Sequence, residues 1–363
     1  MSFPLSPSLG QIHTTAAGQS WKYLSGNRWV PQGKQTICNL AATPNKPSVT
    51  SGVDPANLST LTPSPGDIII LDGATKVLSF NESISGWVGT QQNPILLLGN
   101  SSIIQAKALE FEDCQWVYVF DLTVEANTNG NNIFCANCQN MVFDNISCDD
   151  ASGNNMFITA NENGGSGNIR ILNCSFDNFG SDGLSIHASN TTDGNGHKYE
   201  NGANFYVYNC TSTNSVNTGE NAFDFTSGTN LYLIDCTCHN NNLHINHGVT
   251  NAYIDNFTHT KDGGQTNVMS VELRNTKGDI WVVNSTLAGE IDLGLSSQEA
   301  TRPNYDTVNN VIGIYGTYEL TTYNNTVTGG IDNNTSGSGT IVTAAGSDPM
   351  LTLIIDGFGV SCL

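Results

Sequence analysis

Along most of the chain, short segments of alternating apolar and polar residues are closed by an Asn or Asp, with Ser or Thr a couple of residues later. The segments read WVYVFDLT, MVFDNIS, IRILNCS, FYVYNCT, LYLIDCT, AYIDNFT, IWVVNST and LTTYNNT. Period-two alternation of β-branched and aromatic residues predicts strands, and the Asx residues predict turns. The marks fall at Asp121, Asp144, Asn173, Asn209, Asp235, Asp255, Asn284 and Asn324, with a frayed ninth at Asp356. Their spacing varies from 20 residues (Asp235 to Asp255) to 40 (Asn284 to Asn324). A minimum near 20 with longer excursions is expected of a solenoid whose coil holds three strands and three turns, one of which accepts insertions.

A second strand lies between successive marks, as GLSIHAS, AFDFTSG, LHINHG, MSVELRN and EIDLGLS. The pattern predicts an all-β fold, a right-handed single-stranded parallel β-helix of about 10–11 coils. Cys174, Cys210 and Cys236 each follow a mark, so they should stack about 4.8 Å apart as small apolar core fillers, in a geometry poor for disulfides. Cys135 and Cys138 form one CxxC, a weak metal or redox signal without a second pair.

Composition fits this reading, with only 12% charged residues and abundant Gly, Asn, Ser and Thr. The net charge of -20 leaves no basic stripe for phosphates, so nucleic acid is excluded as a partner, and neutral or mildly charged glycans suit the surface better than polyanions. The N-terminus lacks a basic start followed by an apolar run, and no stretch approaches the roughly 18 apolar residues of a membrane span. We therefore expect a chain without a signal peptide or membrane insertion, its ten cysteines reduced. No cofactor or metal is expected.

Aligning the second strands by their distance from the marks places chemistry on one outward column: Asp224, His244 and Glu272 on consecutive coils. A neighbouring column holds His187, Thr226, Asn246 and Arg274. Asp224 and Glu272 would stand two coils, about 9.6 Å, apart, near the upper separation used by inverting glycosidases. On this expectation Asp224 and Glu272 act as acid and base with His244 tuning both, and His187 and Arg274 bind substrate. Asp182 and Glu220, in turns before these strands, add carboxylates or merely satisfy backbone amides. The insertion at residues 188–202 offers Lys198 and Tyr199 as sugar-binding side chains in a groove wall.

Residues 61–104 carry Gly66-Asp67-Ile68, Gly73, Gly89-Thr90 and Pro94-Ile95 in an order that resembles the opening coils of pectin-lyase-like β-helix proteins, including the branch typified by chondroitinase B and alginate lyases. This resemblance implies fold and carries no chemistry. Uronate lyases of that kind would use a Lys or Arg pair, for which no convincing signature aligns. At the head of the chain, Pro7, Gly10, Gln11, Trp21, Trp29 and Val30 resemble the short Pro/Gly/Trp β-hairpin modules of bacteriophage tail fibres and tailspikes. The second resemblance implies a virion-tail protein, a homotrimer, whose N-terminal module meets other tail proteins while the β-helix recognises, and by hydrolysis cleaves, a host surface polysaccharide. A non-catalytic adhesin or decoration protein and a polysaccharide lyase are the other readings. The domains expected are 1–35 as a virion-attachment module, 36–60 as linker, 61–340 as β-helix and 341–363 as C-terminal cap.

Overall fold

A computed structural model describes residues 12–14, 20–24, 28–31, 48–128, 130–159, 165–187, 202–214, 220–226, 228–246, 249–262, 269–273, 277–293, 318–323, 325–327, 331–332 and 340–343. It divides into two units, Ser48–Val342 and a second comprising Met1–Pro47 with Thr343–Leu363. In the second unit Ile12–Thr14, Ser20–Leu24 and Arg28–Pro31 form an antiparallel meander. Trp21 stands opposite Pro31, and Trp29 opposite Tyr23. Pro7, Gly10 and Gln11 lie outside the described residues.

The larger unit is a parallel β-helix. Each coil presents three strands, and every strand pairs in parallel with its counterpart one coil away. The first sheet stacks Ile169–Leu172, Ala203–Tyr208, Thr229–Ile234, Thr250–Asp255, Lys277–Val283 and Tyr318–Tyr323. The second stacks Ser175–Phe179, Thr211–Thr213, Thr237–His239, Thr258–Thr260 and shorter strands beyond. The third is a ten-stranded sheet running from Glu82–Ser85 to Ile331–Asp332. Earlier strands such as Val142–Ala151 bend through the first and second sheets without a break.

The corners explain the Asx marks. Asp121, Asn145, Asn173, Asn209, Asp235, Asn256 and Asn284 all have φ between 51° and 58°. In this left-handed region Asn and Asp are the best tolerated residues after glycine. Two marks are displaced by one residue: Asn145 and Asn256, rather than Asp144 and Asp255, take the left-handed turn. Asp144 and Asp255 instead accept hydrogen bonds from Asn173 (2.6 Å) and Asn284 (2.9 Å) of the next coil. A second ladder stands at the entry to the first sheet. In it the amides of Asn168, Asn204, Asn230 and Asn251 each donate to the Asn one coil before, starting from Asn140, at 2.8–3.2 Å.

Inward side chains fill the core in register. Val119, Phe143, Ile171, Val207, Leu233, Ile254 and Val282 form one stack with no exposed surface, each burial stabilising by roughly 1.5–3 kcal/mol. Cys174, Cys210 and Cys236 stack beside them, unpaired and buried like the other described cysteines, Cys135 and Cys138 included.

One expectation requires correction. The expected linker at 36–60 ends by residue 48, because Val49–Val53 pairs with Ile68–Leu71 as a strand of the solenoid. Asp54 then caps a short 3-10 turn, Pro55–Thr60, by accepting from the Ala56 amide at 2.9 Å, and Leu58 closes the core with no exposed surface. The outer side of the first sheet is itself largely buried. Tyr118, Val142, Tyr206, Tyr232 and Tyr253 occupy one outward column yet are only 1–8% exposed. A sheet buried on both faces reads as a continuous apolar run, as LYLI and IWVV do. Among the described residues no helix is long and apolar enough to cross a membrane.

Candidate functional site on the third sheet

Parallel pairing sets the outward columns of the third sheet. Ser185, Asp224, His244 and Glu272 are register partners on four consecutive strands, and the column continues through Asp292 and Asp332. The neighbouring column places His187 beside Thr226 and Asn246. The alignment by distance from the Asx marks thus matches the register of both columns as far as the described residues extend. Glu272 is placed by its backbone alone, and Arg274, Lys198 and Tyr199 lie outside the described residues.

Asp224 is the centre of the cluster. Its Oδ2 meets His187 Nε2 at 2.9 Å and accepts from Ser185 Oγ at 3.3 Å, while its Oδ1 meets His244 Nδ1 at 2.8 Å. Thr226 Oγ1 donates from the same strand at 3.3 Å. Although it points outward, Asp224 is only 6% exposed. Burial by itself would raise its pKa, yet the hydrogen bonds and charges of the two imidazoles hold it well below the usual carboxylate range. With Nδ1 held by a carboxylate, His244 keeps one ring tautomer, and its buried Nε2 has no hydrogen-bond partner among the described residues. His187 packs its ring edge-on against Phe157, with centroids 5.0 Å apart.

Two further carboxylates converge on the corner where the chain enters this sheet. Asp182 Oδ1 accepts from the backbone and side-chain amides of Asn221 at 3.2 and 3.0 Å. Gly183 makes this approach possible, since a Cβ there would fall 2.1 Å from Ser212 Oγ and 2.6 Å from the Ala222 carbonyl oxygen. Burial, then the charge of Asp224, push Asp182 up to about 7, against the lowering effect of the Asn221 amides. Glu220 is raised as well, by burial and by Asp224.

Of the two readings of the turn carboxylates, the one seen at Asp182 is the capping of amides, those of Asn221. Phe134 and Phe157 are not among the residues expected from the sequence. They occupy the outward column one and two coils before Ser185, half-buried, with ring centroids 5.8 Å apart. The signal was available: IFCA and MFIT carry an aromatic where later strands carry Ser, Asp or His. No group of three or more His, Cys, Asp or Glu among the described residues is arranged to hold a metal ion.

No family model matches the chain, and no curated protein does. Among solved structures, the chain is similar to an alginate lyase from Paenibacillus sp. str. FPU-7, at 12% identity and a TM-score of 0.43 over 83% of this chain and 99% of that one. It is also similar to the pectate lyase Pel9A, at 10% identity and a TM-score of 0.35 over 80% and 72%. The catalytic domain of a GH87 alpha-1,3-glucanase follows, at 12% identity and 0.32 over 85% and 70%. These are likenesses of fold, and none of the chemistry of those proteins is transferred by them.

Proposed function

We propose that the chain recognises a surface polysaccharide and hydrolyses it on the outer face of the third sheet. The observation that carries this reading is the buried Asp224 carboxylate shared by His187 and His244, beside an Asp182 poised to carry a proton near neutral pH. A carboxylate clamped by two imidazoles and held ionised is a poor proton donor, so Asp224 becomes the group that orients the histidines rather than one member of a hydrolytic pair with Glu272. Asp182, about half protonated at pH 7, then donates to the leaving glycosidic oxygen in its protonated form. The part-exposed His187, held by Asp224 through its Nε2, takes the proton of the attacking water at Nδ1, and Asp224 stabilises the imidazolium that forms.

The wider biological reading is a tailspike-like virion protein, trimeric, anchored by the module at residues 1–35. It is supported by the Pro/Gly/Trp resemblance and by the antiparallel meander found at residues 12–31.

Incubating the full chain with envelope polysaccharides tests the catalytic step. New reducing ends without an unsaturated-uronate chromophore are the expected products. The chromophore would replace hydrolysis with β-elimination, and retained binding without either product would leave an adhesin.

A further inference from the structure

Charge and aromatic surface on the third sheet are distributed in a way that the hydrolytic site alone does not require. Its ten strands contain eight carboxylates and no lysine or arginine. Five of the carboxylates share the outward column of the site: Glu110 on one side, and Asp224, Glu272, Asp292 and Asp332 on the other in register order. Glu112 stands on the neighbouring outward column and is exposed. Between Glu110 and the His187–Asp224–His244 cluster, the same column holds the half-buried Phe134 and Phe157.

Of the described cationic side chains, Lys107 stands at the corner three residues before Glu110, Lys76 pairs with Asp54 at 2.5 Å, and Arg170 sits on the outer column of the first sheet between Val142 and Tyr206. An extended polyuronate laid over this side of the site would therefore meet Glu110 and Glu112 with no cation borne by the strands themselves. A polymer bearing ammonium groups meets attraction at these two carboxylates, and the aromatic pair beside them adds a face for sugar stacking and cation–π contact.

Resting on the glycan-binding reading above, we infer that the preferred ligand is a polysaccharide of amino sugars with free amino groups, bound along the Glu110–Phe134–Phe157 side of the site. Acetylation, which removes the charge and leaves the rest of the sugar similar, separates this from general sugar binding.

Binding of the full chain to soluble chitosan oligomers, to their fully N-acetylated counterparts and to alginate oligomers, by titration calorimetry at two salt concentrations, tests the inference. The amino form should bind at least about tenfold more tightly than the acetylated form and lose that advantage in high salt, while alginate binds most weakly. The double substitution Glu110→Gln and Glu112→Gln should reduce the preference several-fold, whereas Glu125→Gln, on the second sheet, should not. Equal losses in both variants would reduce the effect to the net negative charge of the chain and overturn the inference. So would equal affinity for the amino and acetylated forms. Selective binding without cleavage of any polymer would uphold this inference while removing the hydrolytic mechanism, so the two fail separately.

Discussion

The first and third sheets share one coil and one register, and they differ in what lies on their outer sides. On the first sheet the outward column is Tyr118, Val142, Arg170, Tyr206, Tyr232, Tyr253 and Trp281, most of it buried. On the third it is Glu110, two phenylalanines, Ser185, Asp224, His244 and Glu272. Both sheets pair their strands in parallel and turn apolar side chains inward. The outward positions are then free to diverge, one set toward packing and the other toward chemistry.

Substitutions at equivalent outward positions sharpen this contrast. Asp224→Asn leaves both histidines without their anionic partner, and hydrolysis should fall by about three to four orders of magnitude in a reducing-end assay, with the circular dichroism of the solenoid retained. Tyr253→Ala, on the first sheet, should do the reverse: a loss of about 3–5 kcal/mol in chemical unfolding with little effect on specific activity of the folded fraction. If Tyr253→Ala proved as mild as a surface change, the outer side of the first sheet would not be packed as described.

A buried histidine on the second sheet provides a third comparison. His259 is inward, 1% exposed, and lowered to about 4 by burial and by the nearby Lys261 and His239. The unfolded chain therefore binds this proton first. Stability due to His259 is complete above the unfolded value of 6.5 and is lost as pH falls toward 4, by about 3 kcal/mol in all. Urea midpoints measured from pH 7 to pH 4 should fall, and should fall less in His259→Leu.

The smallest effect concerns the asparagine ladder. Asn204 has φ 63°, accepts from Asn230 and donates to Asn168. Asn204→Ala should cost about 1–2 kcal/mol through the lost hydrogen bonds and the left-handed backbone, and Asn204→Gly less, by thermal unfolding.

Much of this was legible because a solenoid converts sequence distance into spatial neighbourhood. Counting back from Asp235 and Asp255 placed Asp224 beside His244, and the pairing of Asn221–Thr226 with Asn242–Asn246 is the same. The count located columns but not how their side chains meet. The inward turn of two imidazoles onto one carboxylate depends on rotamers and on burial, which no periodicity encodes. Asp182 was visible only as a turn residue, since its charge coupling to Asp224 arises across a corner that Gly183 keeps tight. The start of the solenoid was hidden for another reason. Residues 48–60 have the polar, proline-containing composition of a linker, and only the pairing of Val49–Val53 and the burial of Leu58 reveal a capping coil.

The central claim is that the outer face of the third sheet carries the chemistry, with Asp182 as its proton donor. The pH dependence of kcat/KM on a cleaved polysaccharide, for the native chain and for Asp182→Asn, tests it most directly. The native rate should decline as pH rises through about 7, where Asp182 loses its proton, and the variant should be slower and lack that limb. A native profile with no decline in that range, or a variant that keeps both the limb and the rate, would contradict the assignment.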